Sequence, residues 1–253
     1  MKLGFIGTGN MASAIMGGII KKQIIPAQEI IGADLFAPGR ERAKEQFGIQ
    51  VTDSNKEVVD KAEVIVLSVK PQFYEDVINE IKGDIKDEQI IITIAPGKTL
   101  AWLAEKFGKD VKIVRTMPNT PAMVGAGMTA ACPNEHITEE ELAYIRTLLE
   151  SFSRVEIVPE RLMDVVASTS GSSPAYVFMM IEAMAARLFP AACQDHRHIS
   201  LRHRQFLEAL RWFWIQAGIL GISKIWCALR QELRSRQYAY WKNADLEAQS
   251  LRP

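Results

Sequence analysis

Short apolar runs and amphipathic stretches alternate through the first two-thirds of the chain. Leu3–Gly7, Glu29–Ala33, Val64–Val69, Gln89–Ala95 and Val111–Arg115 are rich in Ile and Val and read as buried strands. Between them, Met11–Lys22, Arg40–Phe47, Phe73–Lys82 and Leu100–Phe107 carry apolar residues at helical spacing. This alternation predicts βαβ units and a mostly parallel sheet, with ligands bound at the carboxyl ends of the strands. Further along, Thr138 with Glu141 fits a capping box at a helix start, Glu156–Val158 reads as a last strand, and Pro174 opens a long apolar helix reaching Ala185.

Composition narrows this picture only modestly. At 253 residues and 48% hydrophobic, the chain can build a substantial core in one large domain or two smaller ones. Formal net charge is zero, which argues against a general nucleic-acid binder or an anionic-membrane binder. Cys132, Cys193 and Cys227 are widely spaced and odd in number, so neither a disulfide framework nor a metal site is expected, and a reducing cytoplasm is. The apolar N-terminus is broken by glycine and ends at Lys21-Lys22, which fits neither a signal peptide nor a membrane span.

The most informative chemistry lies at the start. Gly7, Gly9 and Ala12 follow a strand and open a helix, as in the G-x-G-x-x-G/A dinucleotide fingerprint. Gly7 permits the tight turn, Gly9 lets the backbone approach a pyrophosphate, and Ala12 lets the helix pack close to its strand. The predicted fold is therefore α/β: a Rossmann-type doubly wound parallel sheet over residues 1–160, then a helical domain over 161–253 that is incomplete and atypical after residue 185.

Several other residues end strands where a cofactor would lie. Asp34, about 20 residues past the fingerprint, is placed to accept hydrogen bonds from an adenosine ribose and favours NAD. Arg40 and Arg42 follow closely and would neutralise the extra phosphate of NADP, so the two signals conflict. Ser68-Val-Lys-Pro71 and Ala95-Pro-Gly97 punctuate later strands. Two prolines bracket Asn119 and Thr120, which fixes a polar loop able to present an amide to a ligand. Ser170-Gly-Ser-Ser-Pro-Ala-Tyr176 sets hydroxyls and free N–H groups at a helix start, an arrangement suited to a carboxylate.

After Ala185 the character changes. Residues 186–253 contain nine Arg, two Lys and four of the five Trp, with His196, His198 and His203 crowded together, and carry a net charge of about +6 against about −6 for the remainder. Nucleic-acid and metal-binding readings of this tail are both weaker than a third one, given below.

Taken together, Gly4-Phe-Ile-Gly-Thr-Gly-Asn-Met11, Val69-Lys-Pro71, Met117-Pro-Asn-Thr-Pro121, Gly127-Met-Thr129 and Ser170-Gly-Ser-Ser-Pro-Ala-Tyr-Val177 resemble pyrroline-5-carboxylate reductase over residues 1 to about 185. The resemblance implies reduction of 1-pyrroline-5-carboxylate to L-proline with NADPH, or with NADH in its place, by a homo-oligomer built on a dimerising helical domain. It implies nucleotide contacts from Ile6, Gly7, Thr8, Gly9, Asn10, Met11, Asp34, Asn55, Ser68, Val69, Lys70, Pro71, Ala95 and Gly97. It places Ser172 and Ser173, with Asn119 nearby, beside the substrate. No catalytic acid or base is assigned. The alternatives are another Rossmann imine reductase, or a nucleotide-binding relative without catalysis.

The family's later motifs, a Gly-Met-Pro-Arg turn and a Ser-Pro-Gly-Gly-Thr-Thr loop, and its dimer helices are absent after Ala185. A one-base shift in codons permitted for Ile225–Arg236 reads Met-Val-Cys-Ser-Pro-Ala-Gly-Thr-Thr-Ile-Glu, which is similar to the missing loop. The same shift permits Gly-Gly-Met-Pro-Arg near Ala191–Asp195 and a further family-like run across Arg211–Trp226. The tail is thus expected to be the family's C-terminal domain read out of frame.

Overall fold

A computed structural model describes residues 2–186 of the chain. Eight strands form one sheet in the order β3-β2-β1-β4-β5-β6-β7-β8. They are β1 (Leu3–Ile6), β2 (Ile30–Ala33), β3 (Gln50–Thr52), β4 (Val64–Leu67), β5 (Ile90–Thr93), β6 (Lys112–Met117), β7 (Gly127–Pro133) and β8 (Ser153–Ile157). The first six are mutually parallel; β7 turns back antiparallel to β6, and β8 pairs parallel with β7. Strand order reverses at β1, between β2 and β4, and this reversal opens the crevice where such sheets take a ligand.

The helices are α1 (Asn10–Lys21), α2 (Ala37–Phe47), α3 (Asn55–Lys61), α4 (Tyr74–Ile81), α5 (Leu100–Phe107), α6 (Glu139–Leu149), α7 (Met163–Val166) and α8 (Ser173–Ala186). Two apolar layers sandwich the sheet. On one face α1 and α6 bury Ile15, Met16, Ile19, Ile145 and Leu148 against Leu3, Phe5, Val66 and Ile92. On the other, α3, α4 and α5 bury Val58, Ile78 and Leu103 against Ile6, Ile65, Leu67 and Ile91. Burial on both faces explains why the central strands are continuous apolar runs rather than alternating ones.

Each expected element is present, with shifted bounds. β1 stops at Ile6, because Gly7 turns with φ of +96°. β4 and β5 stop two residues short of Val69 and Ala95, whereas β6 extends to Met117. Gln89 lies outside β5, and its side-chain amide donates instead to the Val59 and Ala62 carbonyls, each at 2.6 Å. α2 begins three residues before Arg40, since Pro38 in its first turn needs no N–H partner. Thr138 and Glu141 form the anticipated capping box at α6. β3, α3, β7 and α7 are additions to the expected elements.

Residues Met1–Val177 form one compact unit. Within it, α7 runs into a single π-helical turn over Ala167–Gly171, which leads to Ser172 and α8. The out-of-frame reading of the tail, His196, His198 and His203, and the helical domain after residue 186 lie outside the described residues. Among the described residues, no helix is long and apolar enough to cross a membrane.

Candidate functional site

The loop between β1 and α1 sits in the crevice and is pinned from both sides. On the β2 side, Asp34 Oδ2 accepts the Thr8 N–H at 2.8 Å and the Thr8 hydroxyl at 3.1 Å, while Oδ1 accepts the Phe36 N–H at 3.0 Å. On the β4 side, the Ser68 hydroxyl lies 2.6 Å from the Gly7 carbonyl and 3.1 Å from that of Ile6. Between these pins Gly7 donates its N–H to the Ala33 carbonyl at 2.7 Å. A Cβ on Gly7 would stand 2.9 Å from the Ser68 and Val69 backbone, so the turn admits no other residue without movement.

Gly9 differs. Its φ is −72°, which any residue can adopt, and a Cβ there would meet nothing within 4 Å. The space it leaves is open in the protein alone, which is what a backbone approached by a phosphate requires. α1 begins directly at Asn10, with no side-chain cap and no acidic residue in its first turn. Its first N–H groups and its dipole therefore face the crevice without a competing anion. The residues present fit the pyrophosphate of a dinucleotide.

The remaining candidates ring the same edge. Ser68, Val69, Lys70 and Pro71 form the β4–α4 connection, and Ala95 and Gly97 follow β5. Ala95 is buried and Lys70 exposed. Asn55 opens α3 after β3 and donates its amide to Glu80 at 2.8 Å. Arg40 donates to the Asp34 carbonyl at 2.5 Å, so its guanidinium stands on the β2 side of the crevice. Leu35 and Phe36, which sequence reasoning passed over, are exposed there at 86% and 62%.

The loop after β6 joins the crevice to the helical segment. Thr120–Val124 packs across α1. Asn119 Oδ1 accepts the Met128 N–H at 2.8 Å, and its amide nitrogen donates to the Ser170 carbonyl at 3.2 Å. The side chain expected to face a ligand thus spends its amide on the chain itself. Met117 fills the space beside Gly171, where a Cβ would stand 2.8 Å from its methyl carbon. Ser172 and Ser173 follow at the start of α8 and are half-buried. Below, the Arg115 guanidinium is buried in β6 and pairs with Glu160 at 2.9 Å, while the same Glu160 oxygen accepts the Leu100 N–H at 2.6 Å. Burial, with Glu160 adding to it and Arg115 opposing, pushes the neighbouring Cys132 thiol up, which leaves it a poor nucleophile.

Doubly wound sheet, pinned glycine turn and uncapped helix define a dinucleotide-binding protein. Residues 2–97 match the family described as NADP oxidoreductase, coenzyme F420-dependent, and residues 160–192 match the pyrroline-5-carboxylate reductase dimerisation family. Pyrroline-5-carboxylate reductase of Escherichia coli K12 is 42% identical over 188 residues, covering 73% of this chain and 68% of that protein. The Methanosarcina acetivorans enzyme of the same name is 37% identical over 187 residues, with the same coverage. Among solved structures, the reductase from Coxiella burnetii superimposes with a TM-score of 0.77 at 27% identity, covering 98% of this chain and 92% of that one. The Plasmodium falciparum enzyme, solved with NADP bound, gives 0.77 at 25% identity, covering 98% and 95%. The chain belongs to the pyrroline-5-carboxylate reductase family.

Proposed function

We propose that this chain carries the nucleotide half of a reductase that takes 1-pyrroline-5-carboxylate to L-proline with NADPH, or with NADH in its place. The observation that carries the reading is the glycine turn held between Asp34 and Ser68 in front of the uncapped α1. When bound, the dinucleotide supplies the hydride that adds to the imine carbon. The N–H groups of α1 hold the pyrophosphate. The Ser173 hydroxyl at the start of α8 is offered to the substrate carboxylate, and Ser172, whose hydroxyl donates to the Ala167 carbonyl at 3.2 Å, would have to release that bond to join it. A protonated imine is already electrophilic, so the site's task is orientation rather than proton transfer. That agrees with a crevice holding no paired acid and base among the described residues named above.

The division between nucleotide and helical domains falls near residue 160 on this reading, since β8 ends at Ile157 and the dimerisation match begins at residue 160. That match supports a homo-oligomer as the family's working form and ends at residue 192. The reading of residues 186–253 as the family's C-terminal domain out of frame rests on three shifted runs in the right order. On it the chain as written lacks the substrate loop, binds NADPH, and does not turn over. The wide spacing and odd number of the cysteines support a cytoplasmic setting.

Titration of the full chain with NADPH, followed by an assay of NADPH oxidation with pyrroline-5-carboxylate, tests both parts. Binding without turnover is the expected result, with turnover regained once the reading frame near codon 185 is restored. Absence of binding overturns the nucleotide reading. Ordinary turnover by the chain as written overturns the reading of its tail.

A further inference from the structure

Parallel strands β4 and β5 are joined by rungs at every second residue of β5. Ile90 donates to the Glu63 carbonyl at 3.1 Å, and the register runs on to Leu67 opposite Thr93. The ladder's next step beyond the strands would set the Ile94 N–H on the Leu67 carbonyl. A phenol stands there instead. Tyr74, the first residue of α4, donates its hydroxyl to the Leu67 carbonyl at 2.5 Å and accepts the Ile94 N–H at 3.3 Å. The ring is fully buried, so the hydroxyl has no water to turn to. Burial pushes the phenol above its usual range, against the pull of the Ile94 and Ala95 N–H groups, and it stays a proton donor.

The two strands that the hydroxyl bridges are those whose connections carry Ser68–Pro71 on one side and Ala95–Gly97 on the other. We infer that Tyr74 is a positioning residue that sets the gap between these two loops, and with it the fit of the nicotinamide half of the cofactor. The hydroxyl replaces a direct backbone rung with a two-bond bridge, which holds the carboxyl ends of β4 and β5 further apart than the ladder alone would. The adenosine half would be held on the other side of the crevice, toward β2, and would not depend on that gap. The inference rests on the dinucleotide reading of the crevice.

Titration calorimetry on the full chain separates the two. Wild-type protein is expected to bind both NADPH and 2′,5′-ADP, a fragment that lacks the nicotinamide. In Tyr74→Phe the rung can close directly, and NADPH affinity should fall about fivefold or more while 2′,5′-ADP affinity stays within about twofold, the scale of one hydrogen bond's contribution. Tyr74→Met removes the hydroxyl within a similar apolar volume and should discriminate in the same way if the Phe variant does not fold. Equal loss for both ligands, or no loss for NADPH, overturns the inference. A wild-type chain that binds neither ligand overturns the dinucleotide reading on which it stands.

Discussion

Asp34 grips Thr8 twice, through its backbone N–H at 2.8 Å and its hydroxyl at 3.1 Å, both on one carboxylate oxygen. With the other oxygen taken by the Phe36 N–H, little of the carboxylate is left for a ribose. Asp34 therefore acts first as a clamp on the glycine turn. Asp34→Ala should weaken NADPH and NADH by similar factors, about tenfold, as expected for hydrogen bonds to a charged group. Affinities for both cofactors check this. A loss confined to NADH would show instead that the carboxylate reads the ribose.

The two fingerprint glycines should fail in different ways. Gly9→Val should abolish nucleotide binding yet cost less than about 1 kcal/mol of stability, because the new side chain projects into open space. Gly7→Ala should cost about 2–3 kcal/mol, since it combines a positive φ with a 2.9 Å clash against backbone. Denaturant unfolding paired with NADPH titration separates the two effects. Loss of stability in both variants alike would contradict the geometry.

Glu160 neutralises a guanidinium whose side chain is only 4% exposed, and it also satisfies the Leu100 N–H. Its own carboxylate is about a third exposed, so the cost of removing it is less than for a fully buried pair. Glu160→Ala should lower stability by about 2 kcal/mol, and Glu160→Gln by about half that. Urea midpoints on the two variants test the order. An alanine variant as stable as wild type would mean that Asp164, 3.4 Å from the same guanidinium, suffices.

Asn119 is expected to matter through what it ties together. Asn119→Ala frees the Met128 N–H and the Ser170 carbonyl and should cost about 1–2 kcal/mol. Amide exchange at Met128 should quicken in the variant, with β1 and β4 amides unchanged. Unchanged protection at Met128 would remove the junction from the account.

Long Ile- and Val-rich strands and helices with clear apolar faces were legible in the sequence because burial on both sheet faces writes itself into composition. β3 was not, since Gln50-Val-Thr52 is three residues with one apolar side chain. β7, Gly-Met-Thr-Ala-Ala-Cys-Pro, has small residues and a terminal proline, and it is held by pairing with β6 and β8 rather than by β-branched bulk. At the site, the glycine turn was visible because phosphate approach demands particular residue types in local order. The pins on that turn were not. Ser68 is 61 residues from Gly7, and Asp34 is 26 from Thr8, so chain topology alone brings them together. Tyr74 lies within the amphipathic stretch Phe73–Lys82, and nothing local to it shows where its hydroxyl ends. Asn119 was legible as part of a polar loop, but its ties to Met128 and Ser170 were not, since those partners lie 9 and 51 residues away.

The antiparallel return of β7 has a consequence in time as well as in space. Every strand of the sheet is complete by Ile157, and all six parallel strands are supplied in order by the first 117 residues. During synthesis, N-terminal domains fold as units while later sequence is still being made. The nucleotide unit is encoded wholly before codon 185, so it can fold once it emerges, whatever frame the ribosome reads next. A lesion there would leave the cell a chain able to sequester cofactor without consuming it, and cost it the enzyme rather than the fold.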